Sequence, residues 1–348
     1  MSRKLKVLHV LKSSIYSGAE NVVITIIKYL HNNYELVYAA TDGEIRSVLE
    51  QENINYILFD KFSINNIRKV IRDFDPDIVH AHDFTATVVC SSIKGRFYLI
   101  SHLHYDPPWV TEWNFKTLMY TLSGSRISKI LSVSRKSFEN MVFANLFREK
   151  HVNVKNPIDV DRILAMANLD NTEEPYDLLF VGRLVEQKNP KRFINIVNNL
   201  VKSGCSIKCG MLGIGDLWQE CEQLIASYGL QEQIHLLGFQ KNPYKYMKAS
   251  KILCLTSKWE GYGLVVAEAN IVGTPVVCSY TSGVVEILGD NAVELCSTDE
   301  EFVRKIKTLL FDKKVYAEWR NAAKRRAHKF LNIDVYIRTI DKIYQNLL

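Results

Sequence analysis

Short runs of apolar, β-favouring residues alternate with stretches whose apolar positions recur every three or four residues, and this rhythm runs the length of the chain. Lys6-Val7-Leu8-His9-Val10-Leu11 reads as a buried strand. The segment after it places Val22, Val23, Ile26, Ile27 and Leu30 on one face of a helix. Further strands fit residues 35–40, 56–59, 77–80, 97–102 and 130–133. Strand, helix, strand in this order builds a parallel sheet with right-handed crossovers. Ligands on such sheets bind beyond the carboxyl ends of the strands, where Gly18, His82 and His104 fall.

The rhythm breaks and restarts. Asn156-Pro157-Ile158-Asp159 reads as a turn, and residues 168–175 are polar and acidic, as a linker is. Strands then fit residues 177–181, 206–212, 233–237, 252–255, 274–278 and 292–295, again separated by helical spacing. The expected organisation is a first α/β domain over 1–155, a linker over 156–175, a second over 176–325, and a basic final helix over 326–348 that returns to the first. Two Rossmann-like parallel-sheet domains facing a central cleft are the fold class this implies.

Length agrees, since 348 residues exceed one ordinary core. No window approaches the roughly 18 apolar residues of a membrane span, and the N-terminus shows no signal-peptide core. Seven scattered cysteines suit reduced thiols in a cytoplasm; Cys205 and Cys209 lack a second ligand pair for zinc. Net charge is uneven: +5 over 1–155 (20 cations, 15 anions), −6 over 156–300 (12 and 18) and +7 over 301–348 (12 and 5). Basic ends suit an anionic membrane or substrate, although solvated helix surface explains any single lysine. No nucleic-acid partner is expected.

The densest chemistry lies in Glu260-Gly-Tyr-Gly-Leu-Val-Val-Ala-Glu268. It follows the apolar strand 252–255 and runs into a helix-compatible stretch, so Gly263 sits where a loop becomes a helix. Free backbone N–H groups and the positive dipole end suit a phosphate there, and the two carboxylates suit hydroxyls. Just past the strand 177–181, Arg183 and Lys188 offer a guanidinium fork and a point charge to a diphosphate. Two other motifs are declined. Asp75-Pro76-Asp77 precedes a strand, on the wrong edge of the sheet for a ligand, and Gly213-Ile214-Gly215 has Trp218 where a dinucleotide fingerprint needs glycine. No metal and no cofactor is expected.

In order along the chain, Ser17-Gly18-Ala19-Glu20, Pro76–His82, Ser132-Val133-Ser134, Asn156–Asp159 and Val181-Gly182-Arg183 with Lys188 are followed by Gly213–Asp216, Leu237-Gly238-Phe239, the Glu260–Glu268 run, Gly273–Val277 and Ser282–Glu286. This series resembles the retaining glycosyltransferases of family 4, which have the GT-B fold, and it covers nearly the whole chain. The resemblance implies a nucleoside diphosphate sugar, UDP rather than GDP, as donor and co-substrate. Arg183 and Lys188 would hold its diphosphate and the Tyr262-Gly263-Leu264 amides its distal phosphate. Glu268 would take the ribose hydroxyls, Glu260 those of the transferred sugar, and Gly238 and Phe239 would lie near the base. Gly18 would let the first loop approach the phosphate, at a place where the family often has two glycines and this chain has Ser17-Gly18.

The family's N-terminal-domain histidine maps to His104, with His102 as the alternative two residues back. His80 and His82 suit a core or supporting role, and His9, His31, His151, His235 and His328 show no constellation. Trp109, Trp113 and Phe115, with Lys116 among them, suit an anionic bilayer or lipid-linked acceptor, while Leu118, Met119 and Leu122 suit a core helix. The expected protein is a cytoplasmic enzyme, on the inner face of the plasma membrane, that adds a sugar with retention to a growing lipid-linked cell-surface glycan. A transferase acting on a soluble acceptor and an inactive partner subunit are the alternatives.

Overall fold

The computed structural model describes residues 3–105, 107–169, 175–327, 330 and 333–347. The chain divides into two units, Met1–Pro157 with Ile333–Leu348 and Ile158–Asn332. Strands of the first are β1 (Leu5–Val10), β2 (Tyr34–Thr41), β3 (Tyr56–Phe59), β4 (Ile78–Ala81), β5 (Tyr98–Leu103), β6 (Ile127–Ser132) and β7 (His151–Asn153). All pair in parallel, in the order β3-β2-β1-β4-β5-β6-β7. The second unit holds β8 (Leu178–Val181), β9 (Cys209–Leu212), β10 (Ile234–Gly238), β11 (Ile252–Leu255), β12 (Val276–Ser279) and β13 (Leu295–Cys296). They form a parallel sheet ordered β10-β9-β8-β11-β12-β13. The strand order reverses between β1 and β4 in one unit and between β8 and β11 in the other. Loops leaving those strands therefore diverge and open a crevice at the sheet edge.

Alternation along the strands of the first sheet explains its two faces. Leu8, Val10, Val79, Ala81, Leu99 and Leu103 pack on Phe84, Tyr120, Phe138 and Phe143. The intervening positions, His9, His80 and His102, are fully buried on the opposite face. The final helix, Ile333–Gln345, belongs to this unit: Tyr34 donates to Asp341 at 2.5 Å, and Tyr344 meets His80 Nδ1 at 2.7 Å. In the second unit Leu178, Phe180, Cys209, Met211, Ile252 and Cys254 form a core with Phe193, Val197 and Phe302.

Two expectations need correcting here. Residues 156–175 are not simply a linker, because Val160–Asn168 is helical: Asp159 caps it by accepting from Arg162 N, and Ile163 and Ala167 bury one face. Residues 170–174 lie outside the described residues. Strand β7 was absent from the sequence reading, since three residues with one apolar side chain carry no periodic signal. All seven cysteines are buried and unpaired, with Cys205 and Cys209 part of the apolar core.

Candidate active site

In the second unit the sequence brings two loops together at the switch point. The loop after β8 begins at Gly182 and ends at Asn189, where Pro190 starts a helix. The loop after β11 runs from Thr256 to Gly263. Backbone and side-chain bonds stitch them: Lys258 N donates to Gln187 O at 2.8 Å, and Thr256 Oγ1 donates to Asn189 O at 3.0 Å. This fixes Lys188 against Glu260, with Nζ 2.6 Å from Oε1, and the Ser257 hydroxyl donates to the same oxygen at 2.6 Å. Glu260 is only 5% exposed. Arg183, at the same strand end, is exposed and forms no ion pair among the described residues.

Glycines let these loops approach. A Cβ on Gly213, whose φ is +132°, would stand 2.0 Å from Gly182 O, so the loops after β8 and β9 touch backbone to backbone. On Gly283 it would stand 2.4 Å from Glu260 O, the carbonyl to which Gly283 N already donates at 3.0 Å. Gly283 thus presses the Glu260 loop from behind.

Gly263 precedes the helix Leu264–Val272 in the left-handed region (φ +77°), and no side chain caps that helix. Its first N–H groups carry the positive end of the helix dipole. One turn on, half-buried Glu268 accepts from Tyr244 OH at 3.3 Å. Burial pushes its carboxyl up to about 7, against the opposing pull of that hydrogen bond and of the Lys188 charge. Tyr262 is buried, whereas Phe239 stands exposed beside Gly238 at the end of β10. Arg183, Lys188, Glu260, Tyr262, Gly263, Leu264 and Glu268 therefore share one end of one sheet. Ser257 and Tyr244 were not singled out in the sequence: Ser257 bonds Glu260 within one loop, while Tyr244 reaches Glu268 from a separate helix.

In the first unit Gly18 opens the helix Gly18–Leu30 and is exposed, while Ser17 Oγ donates to buried Glu20 at 2.5 Å. His104 is buried at the end of β5, its Nε2 3.0 Å from His82 Nδ1. His102 stacks on it with ring centroids 4.1 Å apart. His9, to which no role was assigned, belongs to this cluster: its Nδ1 lies 2.9 Å from His82 Nε2. Register is the reason, because His9 is paired with His80 across β1 and β4. The triads His9, His80, His82 and His82, His102, His104 each bring three ring nitrogens within 4.8 Å. Neither includes a carboxylate.

The segment 108–123 departs from expectation. Trp109 is half-buried, edge-on to Phe84 at 5.0 Å, with Lys116 Nζ 5.3 Å from its ring centre. Leu118 and Leu122, expected in the core, are exposed along with Trp113, Phe115 and Lys116. On the helix Phe115–Ser123 the buried side chains are Thr117, Tyr120 and Ser123. Phe115 (75% exposed), Leu118 and Leu122 (65%) form an apolar ridge on the other side.

Two all-parallel α/β units, one after the other in the chain, give the GT-B fold. Comparison with known proteins agrees. Residues 16–162 match the family described as Glycosyltransferase Family 4, and residues 161–326 match Glycosyl transferases group 1. The chain belongs to these glycosyltransferases. It is 26% identical over 344 residues to the N-acetylgalactosamine-N,N'-diacetylbacillosaminyl-diphospho-undecaprenol 4-alpha-N-acetylgalactosaminyltransferase of Campylobacter jejuni, covering 91% of this chain and 93% of that one. It is 24% identical to the capsular polysaccharide biosynthesis glycosyltransferase CapH of Staphylococcus aureus, covering 89% and 92%. Anabaena HepE, solved in complex with UDP-glucose, shares the fold with a TM-score of 0.83 at 21% identity, over 98% of this chain and 100% of that one. No helix among the described residues is long and apolar enough to cross a membrane.

Proposed function

We propose that this chain is a retaining glycosyltransferase that takes a sugar from a UDP-sugar and places it on a hydroxyl of a lipid-linked, growing surface glycan. The observation that carries the reading is the Lys188–Glu260 pair beside the uncapped start of the Leu264–Val272 helix. A diphosphate leaving group gathers negative charge as the bond to the sugar breaks, and Lys188, Arg183 and the amides at Tyr262-Gly263-Leu264 are the groups that neutralise it. Lys188 then turns from Glu260 towards phosphate, and Glu260 accepts from hydroxyls of the transferred sugar. Glu268 accepts from the ribose, Gly238 and Phe239 flank the base, Gly18 adjoins the phosphate, and His104 orients the sugar. The leaving phosphate takes the acceptor proton on the same face, which accounts for retention. No metal or cofactor takes part in this scheme.

Support for the donor comes from HepE, which was solved with UDP and with UDP-glucose. Support for the acceptor comes from the C. jejuni relative, whose substrate is a diphospho-undecaprenol glycan. The exposed Phe115–Leu122 ridge, with exposed Trp113 just before it and exposed Lys116 on the same helix, favours a lipid-linked acceptor over a soluble one. Apolar side chains enter the headgroup region while the cations meet anionic lipid, which puts the enzyme on the cytoplasmic face of the plasma membrane. The test is transfer from a panel of UDP-, GDP- and ADP-sugars to an undecaprenyl-diphosphate glycan, with anomeric configuration read by NMR. An α-linked product from a UDP-α-sugar agrees, and a β-linked product refutes retention.

A further inference from the structure

Glu260 takes two donors on one oxygen. Lys188 Nζ and Ser257 Oγ each lie 2.6 Å from Oε1, while Oε2 accepts no hydrogen bond among the described residues. The three groups are not equally free to move. Glu260 is 5% exposed and Ser257 1%, and the Glu260 backbone is held from behind, where Gly283 N donates to its carbonyl at 3.0 Å. Ser257 sits between two anchors: Thr256 Oγ1 donates to Asn189 O at 3.0 Å, and Lys258 N donates to Gln187 O at 2.8 Å. Lys188 is tied down at its backbone, where its carbonyl lies 3.2 Å from Thr256 Oγ1. Its ammonium, by contrast, ends a flexible four-carbon stem, and 18% of the side chain reaches solvent.

A diphosphate arriving at this end of the sheet competes with Glu260 for that ammonium. When Lys188 turns to phosphate, the buried carboxylate loses its counterion, and a charge left there is costly unless a donor stays with it. Ser257 is the donor that stays. A hydroxyl bonded to a carboxylate belongs to the stronger class of hydrogen bond. Because the bond is to Oε1, the carboxylate keeps its orientation, and Oε2 is the oxygen left for a hydroxyl of the donor sugar.

We propose that Ser257 is a positioning residue that keeps Oε1 of Glu260 when Lys188 leaves for the diphosphate, and so presents Oε2 to the transferred sugar. The exchange of the lysine between carboxylate and phosphate rests on the donor site proposed above. The hold of Ser257 on the carboxylate does not.

Two measurements test it, and the first needs no nucleotide. Lys188→Met stands in for the departed ammonium, and urea unfolding compares the effect of Ser257→Ala in the native and Lys188→Met chains. The hydroxyl is one of two partners in the first chain and the last in the second. The fall in midpoint is therefore expected to be about twice as large in Lys188→Met. An equal or smaller fall there overturns the hold.

The second is calorimetry of UDP against the native chain, Ser257→Ala, Glu260→Gln and the double variant. Ser257→Ala is expected to weaken UDP about tenfold, because the departing lysine then abandons the carboxylate altogether. In Glu260→Gln the same substitution changes affinity by less than about twofold, since a neutral amide strands no charge. Unchanged UDP affinity in Ser257→Ala overturns the exchange; it is the result given by an ammonium that bridges carboxylate and phosphate through separate N–H groups. Equal weakening in both backgrounds overturns it too, since it marks a loosened loop rather than a held carboxylate. A native chain that binds no UDP refutes the donor site and the exchange with it, and the urea cycle still decides whether Ser257 holds Glu260.

Discussion

Replacing Lys188 by alanine strands the Glu260 carboxylate, which is 5% exposed and, among the described residues, keeps only the Ser257 hydroxyl as a side-chain partner. Removing one member of a buried ion pair costs about 3 kcal/mol, chiefly because the remaining charge has lost its counterion. Lys188 is itself largely enclosed, with 18% of its side chain exposed, so little solvent screening reduces that figure. For a unit of this size, about 3 kcal/mol lowers the midpoint of thermal unfolding by about 6–12 °C. The double variant Lys188→Met, Glu260→Gln removes both charges with similar volumes and recovers most of the loss. The assay is thermal and urea unfolding of native protein, Lys188→Met, Glu260→Gln and the double variant as one cycle, with Lys188→Ala beside it. Single variants as stable as the native protein, or a double variant whose loss equals the sum of the singles, would refute the claim that the two groups are coupled in the resting enzyme.

Glu268 has its folded-state pKa raised by burial to about 7 from an ordinary 4.5. A group protonated more readily when folded stabilises below its unfolded pKa and loses that contribution as pH rises through the folded one. Stability of the native protein therefore falls by about 3 kcal/mol between pH 4.5 and 7 relative to Glu268→Gln, and parallel urea titrations at four pH values would show whether it does. If the ribose hydroxyls bind the ionised form, nucleotide affinity also weakens below pH 7 in the native protein and not in the variant. Gly213→Ala drives a methyl to 2.0 Å from Gly182 O at φ +132° and costs about 2–4 kcal/mol; an unchanged urea midpoint would show that the two loops yield freely. Charging the exposed ridge with Phe115→Glu and Leu122→Glu removes up to about 3 kcal/mol of apolar burial per side chain at a bilayer. Co-sedimentation with anionic vesicles should then drop at least tenfold, and equal pelleting of native and variant protein would dismiss the ridge as a membrane contact.

The sheet architecture was legible because its strands are buried on both faces and read as continuous apolar runs. All twelve strands expected from those runs are present, within a few residues. Lys188 and Glu260 were legible as chemistry, but not as a pair, because their contact spans the loops after β8 and β11. His9 looks like any core residue in its own segment. Its partnership with His82 appears only once β1 is set beside β4 in register. Leu118 and Leu122 misled for the opposite reason: a helix with apolar residues on several sides has no single face to assign, and tertiary packing chose Thr117, Tyr120 and Ser123 for the inside. Gly213 and Gly283 were visible as glycines, while the backbones that require them lie far off in sequence.

Isothermal calorimetry of UDP against the native chain and Lys188→Ala tests the account at its base. One site per chain in the native protein, weakened about ten- to hundredfold in the variant, is the result that a lost charge-assisted phosphate contact produces. Native protein that binds none of UDP, GDP or ADP, or a variant that binds UDP as tightly as the native chain, would contradict it.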